Sequence, residues 1–274
     1  IAADSSGTGS RPSFAVDNIS ISTCTGVTTN YYYRSFQTGN WNAAFTWEAS
    51  PNGVTGWITA CTPPTSAAAG VTIQSGHTVT IDANSSAPDL TVNNGGTLIA
   101  NNTSFVTLTV IGNIVNNGIF QMKNGTKGVD VVFTKNGNQT ITGTGATTNF
   151  LSIGLNMGTT NANVLDISPT VFTCATTKLL VNSSNAMVLL NGTIKFSGSY
   201  TFSNQLFASG PTIASTAGIW LNNSNVTIIG ANYSYANSGL IRITAGILNI
   251  GAASGNSVQL LANCSFIVEG GTVN

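Results

Sequence analysis

From Gly70 to its end the chain repeats one small pattern: a few residues rich in Val, Ile, Leu and Thr, then a turn carrying Asn or Gly. VTI (71–73), TVTI (78–81), DLTV (89–92), TLTV (107–110), VDVVF (129–133), VTII (226–229) and LIRI (240–243) are of this kind. Turns such as NNGG (93–96), NNG (116–118) and KNGN (135–138) part them. β-Branched residues favour strands, and Asn and Gly favour tight turns. Strands this short fall below the roughly five or six residues usual in a sandwich. They suit the flat sides of a solenoid, where each coil adds a few short strands to parallel sheets. Comparable strands recur roughly every 18 to 22 residues, as at Leu90, Leu108, Val131, Leu151 and Val171, near the lower end of known repeat periods. The pattern predicts an all-β fold, a right-handed parallel β-helix (β-solenoid). It would have about ten coils and a length on the order of 50 Å at ~4.8 Å per stacked strand.

Charge narrows the function classes. Only 6% of the 274 residues are charged, eight Lys+Arg against eight Asp+Glu, where about 25% is usual. A basic face for nucleic acid is missing, and so is a polybasic membrane patch. No run approaches the ~20 apolar residues of a spanning helix. The 42% hydrophobic content is also the reverse of a disordered chain.

Three segments differ in texture. Residues 1–29 hold a Ser/Gly stretch and an alternating strand, FAVDNISIS, from Phe14. Residues 30–69 carry Trp41, Trp47, Trp57, Tyr31 to Tyr33 and Pro63-Pro64, and read as an aromatic-rich cap. Residues 70–274 are the solenoid. The chain begins IAADSS without Met and stops at EGGTVN, in what reads as mid-strand. It is expected to be a processed or truncated piece of a longer protein, with any export signal elsewhere.

Groups that could carry chemistry are few. His77 is the one histidine, so a Ser-His-Asp triad or a multi-His metal site would depend on it alone. It reads instead as a turn residue bonded to its neighbours on the first coil. Among carboxylates, Asp82 and Asp89 are the closest pair in the repeats, while Asp130 and Asp166 stand apart. Polysaccharide-cleaving β-helices need clustered acids with Lys or Arg, so no catalytic residue, metal or cofactor is assigned. Trp41, Trp47 and Trp57 either seal the end of the solenoid core or form a sugar-stacking platform. Thr-x-Thr pairs (Thr78/Thr80, Thr107/Thr109, Thr140/Thr142) would suit an ice-binding face only if they stacked in register, and they stop after Thr142.

The most specific text is residues 33–98. Gly39-Asn40-Trp41, Thr46-Trp47, Trp57, Pro63-Pro64-Thr65, Ser75 to Ile81 and Leu90 to Leu98 follow one another there. This stretch resembles a module common in secreted surface proteins of Bacteroidota, and FAVDNISIS looks like the closing strand of a jelly-roll module that often precedes it. The match is close over about a quarter of the chain and stylistic elsewhere. The resemblance implies export by the type IX secretion system, with the outer-membrane translocon or surface machinery as partner. It implies an extracellular or cell-surface location, as in gliding-motility and adhesion proteins. In such a compartment cysteines pair. Cys24 and Cys61 flank the cap and are expected to be bridged, whereas Cys174 and Cys264 lie several coils apart, too far for a disulfide. The expected function is a non-enzymatic structural or adhesive module. The alternatives are a carbohydrate-binding module using the Trp cluster, with surface glycans as ligands, and a polysaccharide-degrading β-helix.

Overall fold

A computed structural model describes residues 30–174, 187–202, 212–229, 235–250 and 257–274. The expected end of a preceding sandwich module, residues 1–29, lies outside them. The regular structure among the described residues is all strand apart from one short 3-10 turn at Ala44–Thr46. No helix among the described residues is long and apolar enough to cross a membrane.

The strands stack as a parallel β-solenoid with three faces, here called A, B and C, visited in that order on each coil. Face A begins at Tyr32–Ser35 and continues through Gly70–Ile73, Leu90–Val92, Ile114–Asn116 and Gln139–Thr142, each pairing parallel with the next. The pairing then runs on to Ser265–Val268. Face B contains Thr78–Ile81, Thr97–Ala100, Ile119–Gln121 and Thr147–Phe150. Face C contains Ser85–Ala87, Phe105–Val110, Lys127–Phe133 and Ser152–Asn156.

Strand alternation decides what is inside. On face A, Val71, Leu90, Ile114, Ile141, Ile167, Phe196, Leu221 and Ile243 are partners in one inward column, and all are buried. Inward residues of faces B and C, such as Leu98, Phe120, Leu108, Val131 and Phe133, close the same core. A chain of rings runs within it: Phe120 lies 5.0 Å from Phe150, Phe150 5.5 Å from Phe172, and Phe172 5.3 Å from Tyr200. Such contacts add about 0.5–1.5 kcal/mol each beyond area burial.

Coils are longer than the sequence spacing suggests. Past the cap, successive face-A rungs are separated by between 19 residues (Val71 to Leu90) and 29 residues (Ile167 to Phe196). The 18-to-22 spacing mixed faces: Leu90 is on A, whereas Leu108 and Val131 are neighbours on C. Leu151 sits in a bend and Val171 is exposed. The turns between faces vary in length while the strands keep register. At the corner from A to B, Gly96, Gly118 and Gly145 lie over one another. A Cβ on Gly118 would strike Gly96 O, and one on Gly145 would strike Gly118 O.

The parallel pairing starts before Gly70, since Tyr32–Ser35 already pairs with Gly70–Ile73 and Gly39–Asn40 with Thr78–Ile81. The free side of Tyr32–Ser35 is taken by Trp47–Ser50, antiparallel, and that strand in turn by Ile58–Thr59.

Candidate functional site

Trp41 and Trp47 are fully buried, with ring centroids 5.0 Å apart and edge to face. Each indole N–H has an internal acceptor: Trp41 Nε1 donates to Pro64 O (3.3 Å) and Trp47 Nε1 to Trp41 O (2.7 Å). The two rings plug the first coil beneath the antiparallel strands and offer no face to a sugar. Trp57 differs, being half-buried with the Arg34 guanidinium 4.1 Å from its ring centre. Arg34 also donates twice to Glu48, from Nε at 2.9 Å and from an Nη at 2.8 Å. One face of Trp57 is thereby occupied by a cation whose charge is already met.

Cys61, two residues past the outermost cap strand, is a half-cystine. Cys24, its expected partner, lies outside the described residues. Cys174 is buried and Cys264 half-buried.

His77 reaches back one coil. Its Nδ1 is 2.9 Å from Ser35 Oγ and 3.0 Å from Ser35 O, and Gln74 N–H donates to the same hydroxyl. Ser35 is buried, so this Ser–His contact ties the first coil to the second and faces no cleft.

The carboxylates are dispersed and engaged. Asp82 accepts the backbone and side-chain N–H of Asn42, and Asp89 those of Asn113 one coil on. Asp130 takes the hydroxyl of Ser152, its partner on face C. Asp166 pairs with Lys195 at 2.9 Å. Asp89 sits at a corner and Asp130 on a face, so the coil does not bring them into one acid pair. No group of three or more metal-ligating side chains occurs among the described residues. The Thr-x-Thr pairs fall on three different faces, 78/80 on B, 107/109 on C and 140/142 on A, so they form no common array.

An outer column on face A could not be read from the sequence. Asp166, Lys195, Trp220 and Arg242 are consecutive register partners. Lys195 Nζ lies 4.6 Å and the Arg242 guanidinium 4.3 Å from the Trp220 ring centre, and Glu269 closes the far end on Arg242. That hydrogen bond holds the Glu269 carboxyl below the ordinary glutamate range and raises Arg242. Nearby, burial first and then the Asp166 charge push the Tyr200 hydroxyl well above the ordinary tyrosine range. It stays protonated and donates to Pro169 O at 2.6 Å.

No family model, curated protein or solved structure matches this chain.

Proposed function

We propose that the chain is a non-enzymatic structural and adhesive module of a large secreted cell-surface protein, a cargo of the type IX secretion system. The observation that carries this reading is the unbroken face-A ladder, sealed at one end by Trp41 and Trp47. A ladder whose backbone groups are paired coil to coil, with few charges on its outside, transmits length and stiffness. Its carboxylates among the described residues are spent on neighbouring strands and coils, which leaves none of these gathered for acid–base work. The Cys24–Cys61 bridge belongs to the same proposal, as a tie between the cap and whatever precedes it. The outer-membrane translocon is the partner during export.

Protease shaving of intact source cells, with and without a working translocon, tests the location. Peptides of this chain are expected from the wild-type surface only. Peptides found solely inside the cell would refute it. Release of reducing ends from any of a panel of polysaccharides would refute the non-enzymatic part.

A further inference from the structure

Face C carries a trough that the stalk reading leaves unused. Its outward-pointing positions stack in two columns, Ser86–Thr109–Val132–Gly154–Val188 and Thr107–Asp130–Ser152, with Ser152 itself buried. Two adjoining hollows share Thr107. One of about 200 Å³ lies over Asp130, Val132 and Gly154, walled by Leu190. The other, of about 460 Å³, lies over Ser86 and Thr109 beneath Pro63-Pro64-Thr65. Together they span five rungs, ~20 Å at ~4.8 Å each.

Gly154 is the telling residue. Among the described strand-interior glycines, the others either have positive φ or would drive a Cβ to within 3 Å of a neighbouring atom. Gly154 has no positive φ, and the atoms nearest its Cβ would be those of the Val132 side chain, the closest at 3.3 Å, a tight contact to which Val132 would have to yield by a few tenths of an ångström. Neither backbone conformation nor a backbone clash demands glycine here, and an interior glycine weakens a strand unless something approaches it closely.

We infer that this trough binds a neutral glycan chain. Its lining has hydroxyls, amides and one carboxylate, which suit sugar hydroxyls that both donate and accept. The methyl groups of Val132, Val188 and Leu190 would lie against sugar C–H faces. Among the described residues no lysine or arginine lines it, which disfavours phosphorylated, sulfated or uronic ligands. An extended peptide adds along a sheet edge, whereas this trough crosses strands whose backbone groups are already paired. A β-linked pyranose is about as long as one rung, so successive sugars would meet equivalent positions.

The test is binding of the whole chain to cello-, manno-, xylo- and chito-pentaose, with oligogalacturonate as the charged comparison. At least one neutral probe should bind, and Gly154→Leu should weaken it at least about tenfold. Leu190→Ser should weaken it roughly threefold; at 54% exposed this residue can change without unfolding. Trp57→Ala should leave binding unchanged. Binding by no neutral probe, preference for oligogalacturonate, or loss only in Trp57→Ala would overturn the inference. So would full binding by a folded Gly154→Leu. If that variant unfolds, Leu190→Ser decides. None of these results touches the stalk proposal, which rests on the ladder and the cap.

Discussion

The side-chain carbonyls of Asn84, Asn113, Asn117 and Asn138 accept backbone N–H groups of Thr107, Thr140, Thr144 and Val164, each on the following coil, at 2.9–3.1 Å. At a corner the backbone leaves the ladder and its N–H groups lose their strand partners; the asparagine supplies the missing acceptor. Asn117→Ala should therefore cost about 1 kcal/mol in urea unfolding, while Asn117→Asp, which keeps the acceptor for Thr144, costs less. Gln139 does a related job from an inward position, donating to Val110 O and Gly112 O while accepting Lys135 N–H. Gln139→Leu leaves buried groups unmet and should cost about 1–3 kcal/mol. The sequence marks these asparagines as turn formers, which they are. Their partners 23 to 27 residues away were not legible, because nothing local records the length of a coil. The buried Tyr200 gives a pH signature. Its folded value lies above its unfolded value, so the unfolded chain loses the proton first as pH rises. Stability should hold below about pH 10 and fall above it. Tyr200→Phe should lose some stability at neutral pH yet show a flatter alkaline limb in thermal melts.

Each outer column of face A works as an element in its own right, because parallel pairing sets one side chain above the next. Lys195, Trp220 and Arg242 interleave two cations with an aromatic ring, and Asp166 and Glu269 neutralise the ends. In a chain with so few charges, this fixes which residue of one coil faces which residue of the next, since a slip would set like charges together. A double-mutant cycle with Lys195→Met and Trp220→Leu should return a coupling of about 0.5–1 kcal/mol. The Glu269–Arg242 end is exposed and screened. With the Glu269 value depressed, its contribution should be present above the ordinary glutamate range and vanish as pH falls through the folded value. Alternation within a strand such as TVTI (78–81) is visible in the sequence, and there Val79 and Ile81 are buried while Thr78 and Thr80 are half-buried. The spacing between strands was misleading, because strands of faces A and C look alike when each is three or four apolar and hydroxyl residues long. Of the three tryptophans read as sealing the core or stacking a sugar, Trp41 and Trp47 are buried against one another while Trp57 stays half-buried. Trp47→Ala should cost about 3–5 kcal/mol. Hydrogen exchange should show that loss first at Tyr32–Ser35 and Gly70–Ile73.

For the molecule as a whole, ten rungs of face A give an axis on the order of 40 Å at ~4.8 Å per rung. Small-angle scattering should return a cross-section that is constant along an elongated particle; a spherical envelope would contradict the stacking. Non-reducing peptide mapping should find Cys24 joined to Cys61, with Cys174 and Cys264 as thiols. A Cys174–Cys264 peptide would be incompatible with the rungs between them. Fold class was thus readable at this scale, whereas the glycan trough was not, because its walls come from segments scattered between Asn42 and Leu190. The unequal coils have a further meaning. Register is kept on the faces while extra residues are absorbed at corners, as in the small excursion where Lys123–Asn124 folds back on Lys127. Evolution, or an engineer, can therefore splice foreign segments into such a corner without disturbing the rungs on either side. Gly125, with no atom packed near it, marks a position where an inserted epitope would stand out from the shaft like a leaf from a stem.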